Sequence, residues 1–319
     1  MASITEVFLS SILPIVVIIS LGFGLSQRQE IRTDSLNTLT LYILTPSLIF
    51  HSIALTELEA TALLKITVGV VAFLSVVVLV SFAFGRGTGK EGAHLSAFML
   101  IAVFGNTGGL GIPLADFAFG SLGRQTAVLF AAIHGAVVFT VGLFIASRSG
   151  GGSARGSLRR VFRYPLVYAV IAAVGIRFLG VAPAADSVAM RTIGLLGDSA
   201  IPVMLIILGV QLSRTEYRSA LPMTTTPIAF RFGVSPLAGL LVASLLGFQN
   251  STVAQVFVLL TAMPVAIGPI IFVVEFAQEA RVDGVSLPEL VSASIFVTTL
   301  LSIPLVTAIV VLLKSGLII

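Results

Sequence analysis

Runs of about 20 apolar residues, separated by short polar or Gly/Pro-rich connections, recur from one end of the chain to the other. That is the length an α-helix needs to cross the hydrocarbon core of a bilayer, so the pattern predicts helices. The runs place ten segments near residues 5–25, 35–55, 62–84, 93–119, 123–146, 164–181, 187–212, 222–246, 251–276 and 286–313. The fold class is therefore an all-α membrane protein, because each spanning helix satisfies its own backbone hydrogen bonds. The first run, "EVFLSSILPIVVIISLGFGLS", has no basic stretch before it and no small-residue cleavage site, and reads as a retained helix.

Two segments contain residues that a spanning helix avoids. The fourth holds "FGNTGGLGIPLADF" (residues 104–117), with four glycines, an asparagine, a proline and an aspartate. The ninth holds "MPVAIGPI", in which Pro264 and Pro269 bracket Gly268. Proline removes a backbone donor and glycine weakens a helix, so both segments are expected to be interrupted near mid-membrane. Their positions repeat: Pro46 to Pro113 and Pro202 to Pro269 are both 67 residues, and Pro14 in segment 1 matches Pro165 in segment 6. The chain thus divides into a first five-helix repeat (1–146), a linker (147–163) and a second five-helix repeat (164–319). Five is odd, so the second repeat is inserted upside down, as in many secondary transporters. Half-helix N-termini meeting at the centre offer free N–H groups and partial positive charge to an anion such as a carboxylate. The plainer alternative is that Gly and Pro serve close packing and kinks; recurrence at matched positions favours the binding site.

Composition sharpens this picture. The chain is 57% hydrophobic and 10% charged, with a mean hydropathy of +1.11, whereas soluble domains are about a quarter charged. A net charge of +4 does not point to nucleic acid, because the basic residues lie in short connections. Alternate connections hold 12 of them (Arg28, Arg32, Arg86, Lys90, Arg148, Arg155, Arg159, Arg160, Arg163, Arg214, Arg218 and Arg281) against 5 on the other side (Lys65, Arg124, Arg177, Arg191 and Lys314). That bias places both termini outside the cell membrane and the 147–163 loop, "SRSGGGSARGSLRRVFR", in the cytoplasm as a flexible linker. The absence of cysteine excludes disulfides and thiolate metal sites.

"NTGGLGIPL", "AMPVAIGPIIF", "PSLIFHSIA" and "LGDSAIPVMLIILGVQL" together resemble segments of the auxin efflux carrier family, which includes PIN-type auxin carriers and prokaryotic organic-acid permeases. The resemblance covers nearly the whole chain apart from the central loop. It implies ten helices as two inverted five-helix repeats with broken crossover helices 4 and 9, like bile-acid sodium symporters. It further implies helices 1, 2, 6 and 7 as scaffold and homodimer interface, and helices 3–5 and 8–10 as the moving part. Asn106, Pro113, Pro264 and Pro269 match the family's break residues, whereas Gly268 stands about where many bacterial members carry an asparagine. The helix 3 acid of plant members has no counterpart after Lys65.

Ionisable residues inside apolar segments are costly and mark function by default. Asp116 reads either as a proton or cation site or as a residue near the outer interface. Asp198 reads as a cap or packing residue at a helix irregularity, Glu275 as solvated surface, and Arg231 as a side chain snorkelling to the cytoplasmic side. His51 is a ligand contact or a satisfied polar residue, and His134, in "AAIHGAVV", substitutes for the missing helix 3 acid in a proton-linked role. The candidate substrate contacts are Asn106, Thr107, Gly108, Pro113, Pro264, Gly268, Pro269 and His51; the candidate coupling residues are His134 and Asp116. No cofactor is expected; H+ and Na+ both remain as coupling ions. The expected function is a secondary transporter of small organic anions, with export implied by the resemblance. The alternatives are an anion channel of the same fold and an intramembrane enzyme; the chain lacks HExxH and GxSxG, and "GLLGD" lacks the GxGD spacing.

Overall fold

The computed structural model describes residues 5, 8–56, 58–142, 144–146, 165–213, 220–266, 273 and 279–319. Ten helices lie among them: α1 (Phe8–Ser26), α2 (Ser35–Ala54), α3 (Ala60–Gly87), α4 (Gly92–Val103), α5 (Ile112–Val137), α6 (Pro165–Phe178), α7 (Val188–Ser213), α8 (Leu221–Leu246), α9 (Ser251–Thr261) and α10 (Leu287–Lys314). A two-residue hairpin, β1 (Arg281–Val282) and β2 (Val285–Ser286), precedes α10. Its turn residues Asp283 and Gly284 both have positive φ (48° and 85°), the twist a tight hairpin requires.

Among the described residues, seven stretches are long and apolar enough to cross a membrane: Phe8–Ser26, Ser35–Ala54, Ala60–Gly87, Thr107–Ala146, Val188–Ser213, Leu221–Leu246 and Leu287–Lys314. The protein is a multi-pass membrane protein. α4 and α9 have only 12 and 11 residues, or about 18 and 17 Å of helix, roughly half a hydrocarbon core. They stop where the Gly/Pro breaks were expected. The expected helix over 251–276 therefore ends at Thr261, and residues 267–272 and 274–278, with Gly268, Pro269 and Glu275, lie outside the described residues, as does the 147–163 linker.

The expected segments 93–119 and 123–146 divide differently. After the break at Val103 the chain re-enters helix at Thr107 and continues to Val137 with one corner at Gly120 (φ 66°, ψ −155°). Only glycine takes that conformation without strain, so one residue replaces the expected loop. The arm beyond it folds back closely enough that a Cβ on Gly123 would strike the Ala115 carbonyl.

α7 packs on α1 and α2, with α6 against α2; α3 packs on α4, α5 and α8, and α9 lies against α5 and α8. Glycine allows the closest approaches: Gly209 meets the backbone of Ile19 and Phe23, and Gly22 meets the Ile206 carbonyl. Val188, Leu195 and Leu245 leave most of their apolar surface on the outside of the bundle, where the surrounding medium is lipid.

Candidate functional site

At the end of α4 the chain straightens through Phe104–Asn106, and at the end of α9 it straightens through Met263–Ala266. The two extended pieces run antiparallel, with Gly105 opposite Val265. Asn106 N–H donates to the Pro264 carbonyl (2.7 Å), and Ala266 N–H donates to the Phe104 carbonyl (2.9 Å). Val265 N–H donates to Thr298 Oγ1 of α10 (3.1 Å). Backbone freed by the breaks is thus paired across them, as an apolar surrounding demands.

The last carbonyls of a helix lack internal partners and carry partial negative charge. Here they converge on Arg231 of α8, which is 1% exposed. Its Nη1 donates to the Val103 carbonyl (2.9 Å) and the Ala102 carbonyl (3.5 Å), Nη2 to the Thr261 carbonyl (3.1 Å), and Nε to the Met263 carbonyl (2.8 Å). Ser235 Oγ, one turn along α8, accepts from Nη1 and donates to the Ala102 carbonyl. One planar guanidinium thereby ties the C-terminal ends of α4 and α9 together. The snorkelling expected of Arg231 is overturned: the side chain turns inward because unpaired carbonyls offer it more than the membrane surface would. No carboxylate is in ion-pair contact with Arg231 among the described residues, so the helix-end carbonyls are its counter-charge.

On the far side of the paired strands the chain resumes as a helix. Thr107–Gly111 is a π-helical turn in which the Asn106 carbonyl accepts from both Leu110 and Gly111 N–H (3.4 and 3.0 Å). Asn106 caps it, its Oδ1 accepting from Gly109 N–H (3.0 Å). The other half of the amide is unsatisfied: Nδ2 is buried and has no partner among the described residues, in a side chain that is 6% exposed. Gly108 has no atom of the described residues within 4 Å of where a Cβ would stand, and its N–H belongs to the first turn that a helix leaves unpaired. Pro113 follows in the first turn of α5 and cannot donate to a carbonyl behind it. Thr107 Oγ1 lies 3.3 Å from His134 Nδ1, and the buried imidazole sits between the rings of Phe104 and Phe130. Leu110 and Leu114, further along the same chain, line an almost wholly apolar cavity of ≈ 330 Å³ whose other walls include Ile15 and Phe23 of α1 and Phe296 of α10.

Asn106, Thr107, Gly108, Pro113, Pro264 and His134 therefore stand in one unit. Asp116 and His51 do not. Asp116 lies ten residues past Asn106, about 15 Å along the helix, and pairs with Arg124 (3.4 Å). Arg124 also donates to Asp198 of α7 (2.6 Å). Asp198 sits inside α7 four residues before Pro202, whose missing N–H leaves the Asp198 carbonyl without its helical donor, and its carboxylate pairs with Arg124 rather than capping a helix end. His51 packs on Gly194, one turn before Asp198.

The profile of the membrane transport protein family matches residues 7–310. The chain belongs to this family, that of the auxin efflux carriers. Among its relatives, a protein of Rhizobium meliloti named "Putative malonate transporter" is 28% identical over 318 residues, covering 96% of this chain and 95% of the relative. An uncharacterized transporter of Methanothermobacter thermautotrophicus is 26% identical, covering 92% and 94%. Another from Methanocaldococcus jannaschii is 24% identical, covering 88% and 89%. In this auxin efflux carrier relative, Arg231 is the residue that sequence reasoning misplaced. One signal pointed to it: among the basic residues it alone lies well inside an apolar run.

Proposed function

We propose that this transporter carries small organic anions by alternating access, and that Asn106 and the helix N-terminus behind it hold the substrate carboxylate. The observation that carries this is the Asn106 Nδ2 group, a buried donor with no partner among the described residues, at the start of the turn that holds Gly108. A buried unpaired donor costs about 1–3 kcal/mol, and a carboxylate oxygen removes that cost while lying on the positive end of a helix. The ≈ 330 Å³ apolar cavity at Leu110 suits the body of a small ligand, near the lower end of the range for such pockets. Malonate, in the rhizobial relative's name, is one such anion.

In this reading the two halves are inverted five-helix repeats whose broken helices cross at the Gly105–Val265 bridge. Helices α1, α2, α6 and α7 act as the scaffold and pair with a second copy, and the remaining helices move; the dense α1–α7 and α2–α7 packing supports the division. Both termini face outward, transport is outward across the cell membrane, and His134 links the site to protons through Thr107. The test is a thermal-stability screen of purified protein against mono- and dicarboxylates, each with matched amines, with and without sodium and at two pH values. At least one carboxylate is expected to raise the melting temperature saturably. Stabilisation by amines alone, or by no carboxylate, would sink the reading.

A further inference from the structure

We propose that the Arg231 guanidinium is a built-in cation, standing where a coupling metal ion would otherwise bind between the two broken helices, so that this carrier does not use sodium there. In secondary transporters, unwound carbonyls and half-helix C-terminal ends are the groups that coordinate Na+. Here those groups are spoken for. Ala102 and Val103 close α4, Thr261 closes α9, Met263 begins the extended strand, and all four carbonyls accept from one guanidinium at 2.8–3.5 Å. The two helix ends each present about half a negative charge, so a single positive charge between them balances the pair. Gly105 completes the cradle: a Cβ there would collide with Nη2, so the strand pairing and the guanidinium fit only around a residue without a side chain. A covalently held cation cannot arrive or leave with the substrate. It therefore supplies the electrostatic glue of a bound sodium ion without drawing on a sodium gradient.

The inference rests on reading the chain as an alternating-access carrier, but its test needs no substrate. Purified protein is melted in sodium, potassium and choline chloride at equal ionic strength, and again with dilute guanidinium chloride, well below denaturing levels. Wild type is expected to melt at one temperature in all three salts. Arg231→Ala is expected to melt lower, by about 5–10 °C, and to regain at least half of that fall with guanidinium or a small monovalent cation but not with choline. Arg231→Lys keeps a charge and is expected to fall between the two. Gly105→Ala, which displaces the guanidinium while leaving the arginine in the chain, is expected to behave like Arg231→Ala. A saturable rise of wild-type melting temperature specific to sodium would overturn the proposal. So would an Arg231→Ala protein whose lost stability no small cation restores, since that is the signature of a purely structural cap. If neither variant folds, the wild-type salt series decides by itself. Failure of the organic-anion reading would show in the carboxylate screen and leave these melts unchanged.

Discussion

Asn106 has two separable jobs, and two substitutions pull them apart. Its Oδ1 caps the Thr107–Gly111 turn through Gly109 N–H at 3.0 Å, while its Nδ2 is the unpaired donor assigned to the substrate. Asn106→Asp keeps the cap oxygen in place and loses the donor. Stability should stay within about 1 kcal/mol of wild type, the usual worth of an N-cap. Affinity should collapse: a lost hydrogen bond to a charged group is about 1.5–3 kcal/mol, and a carboxylate about 4 Å from an anionic ligand adds about 4 kcal/mol at an effective dielectric of 20. The sum is a weakening of roughly ten-thousandfold or more. Asn106→Ala loses both jobs, so it should melt lower by about 1 kcal/mol of stability and bind about 10- to 100-fold more weakly. Calorimetric titration in nanodiscs, with the best carboxylate from the screen, gives affinity; differential scanning fluorimetry gives stability. An aspartate variant with wild-type affinity would refute direct contact, and an alanine variant that melts lower but binds normally would reduce Asn106 to a cap.

Three further outcomes are expected. Asp198→Asn frees Arg124 from α7 while leaving its contact with Asp116; because the partners are partly exposed, stability should change by less than about 1 kcal/mol, whereas the exchange rate, which requires α5 to move past α7, should change several-fold in liposomes. His134→Gln preserves a hydrogen-bonding partner for Thr107 and should flatten the pH dependence of transport at unchanged melting temperature; an unaltered pH profile would shift attention to Asp116. A cysteine introduced in the 149–157 stretch should react with an impermeant reagent only after cells are permeabilised, and labelling in intact cells would invert the topology.

The places where helices must fail were legible because proline and glycine act on the backbone directly: α4 ends next to the "GNTGGLGIP" stretch and α9 just before Pro264. The long apolar runs marked seven spans among the described residues for the same reason, since length and hydropathy are local properties, whereas the expected segment 164–181 is a helix of only 14 residues. What local pattern could not supply was the partner of each polar group. Arg231, Asp198 and Asp116 were weighed along their own segments, but their roles depend on partners supplied by the fold: the carbonyls of Met263 and Val103, 32 and 128 residues from Arg231, and the guanidinium of Arg124, 74 residues from Asp198 and brought back to Asp116 across the Gly120 corner. Gly120 was likewise read as part of a connection, although its positive φ lets one residue turn the corner. Asn106 was found because a cap at a glycine-rich break is a local motif; that its Nδ2 is left over became visible only with the surrounding backbone in place.

Counterflow in proteoliposomes tests most directly that this is a carrier with its anion site at Asn106. Vesicles loaded with an unlabelled carboxylate, chosen by the stability screen, are diluted into a trace of the same labelled anion. Wild-type protein is expected to accumulate label transiently and saturably, and Asn106→Asp is expected to lose that uptake while remaining folded. Flux that never saturates and shows no exchange, or counterflow that survives Asn106→Asp undiminished, would contradict it.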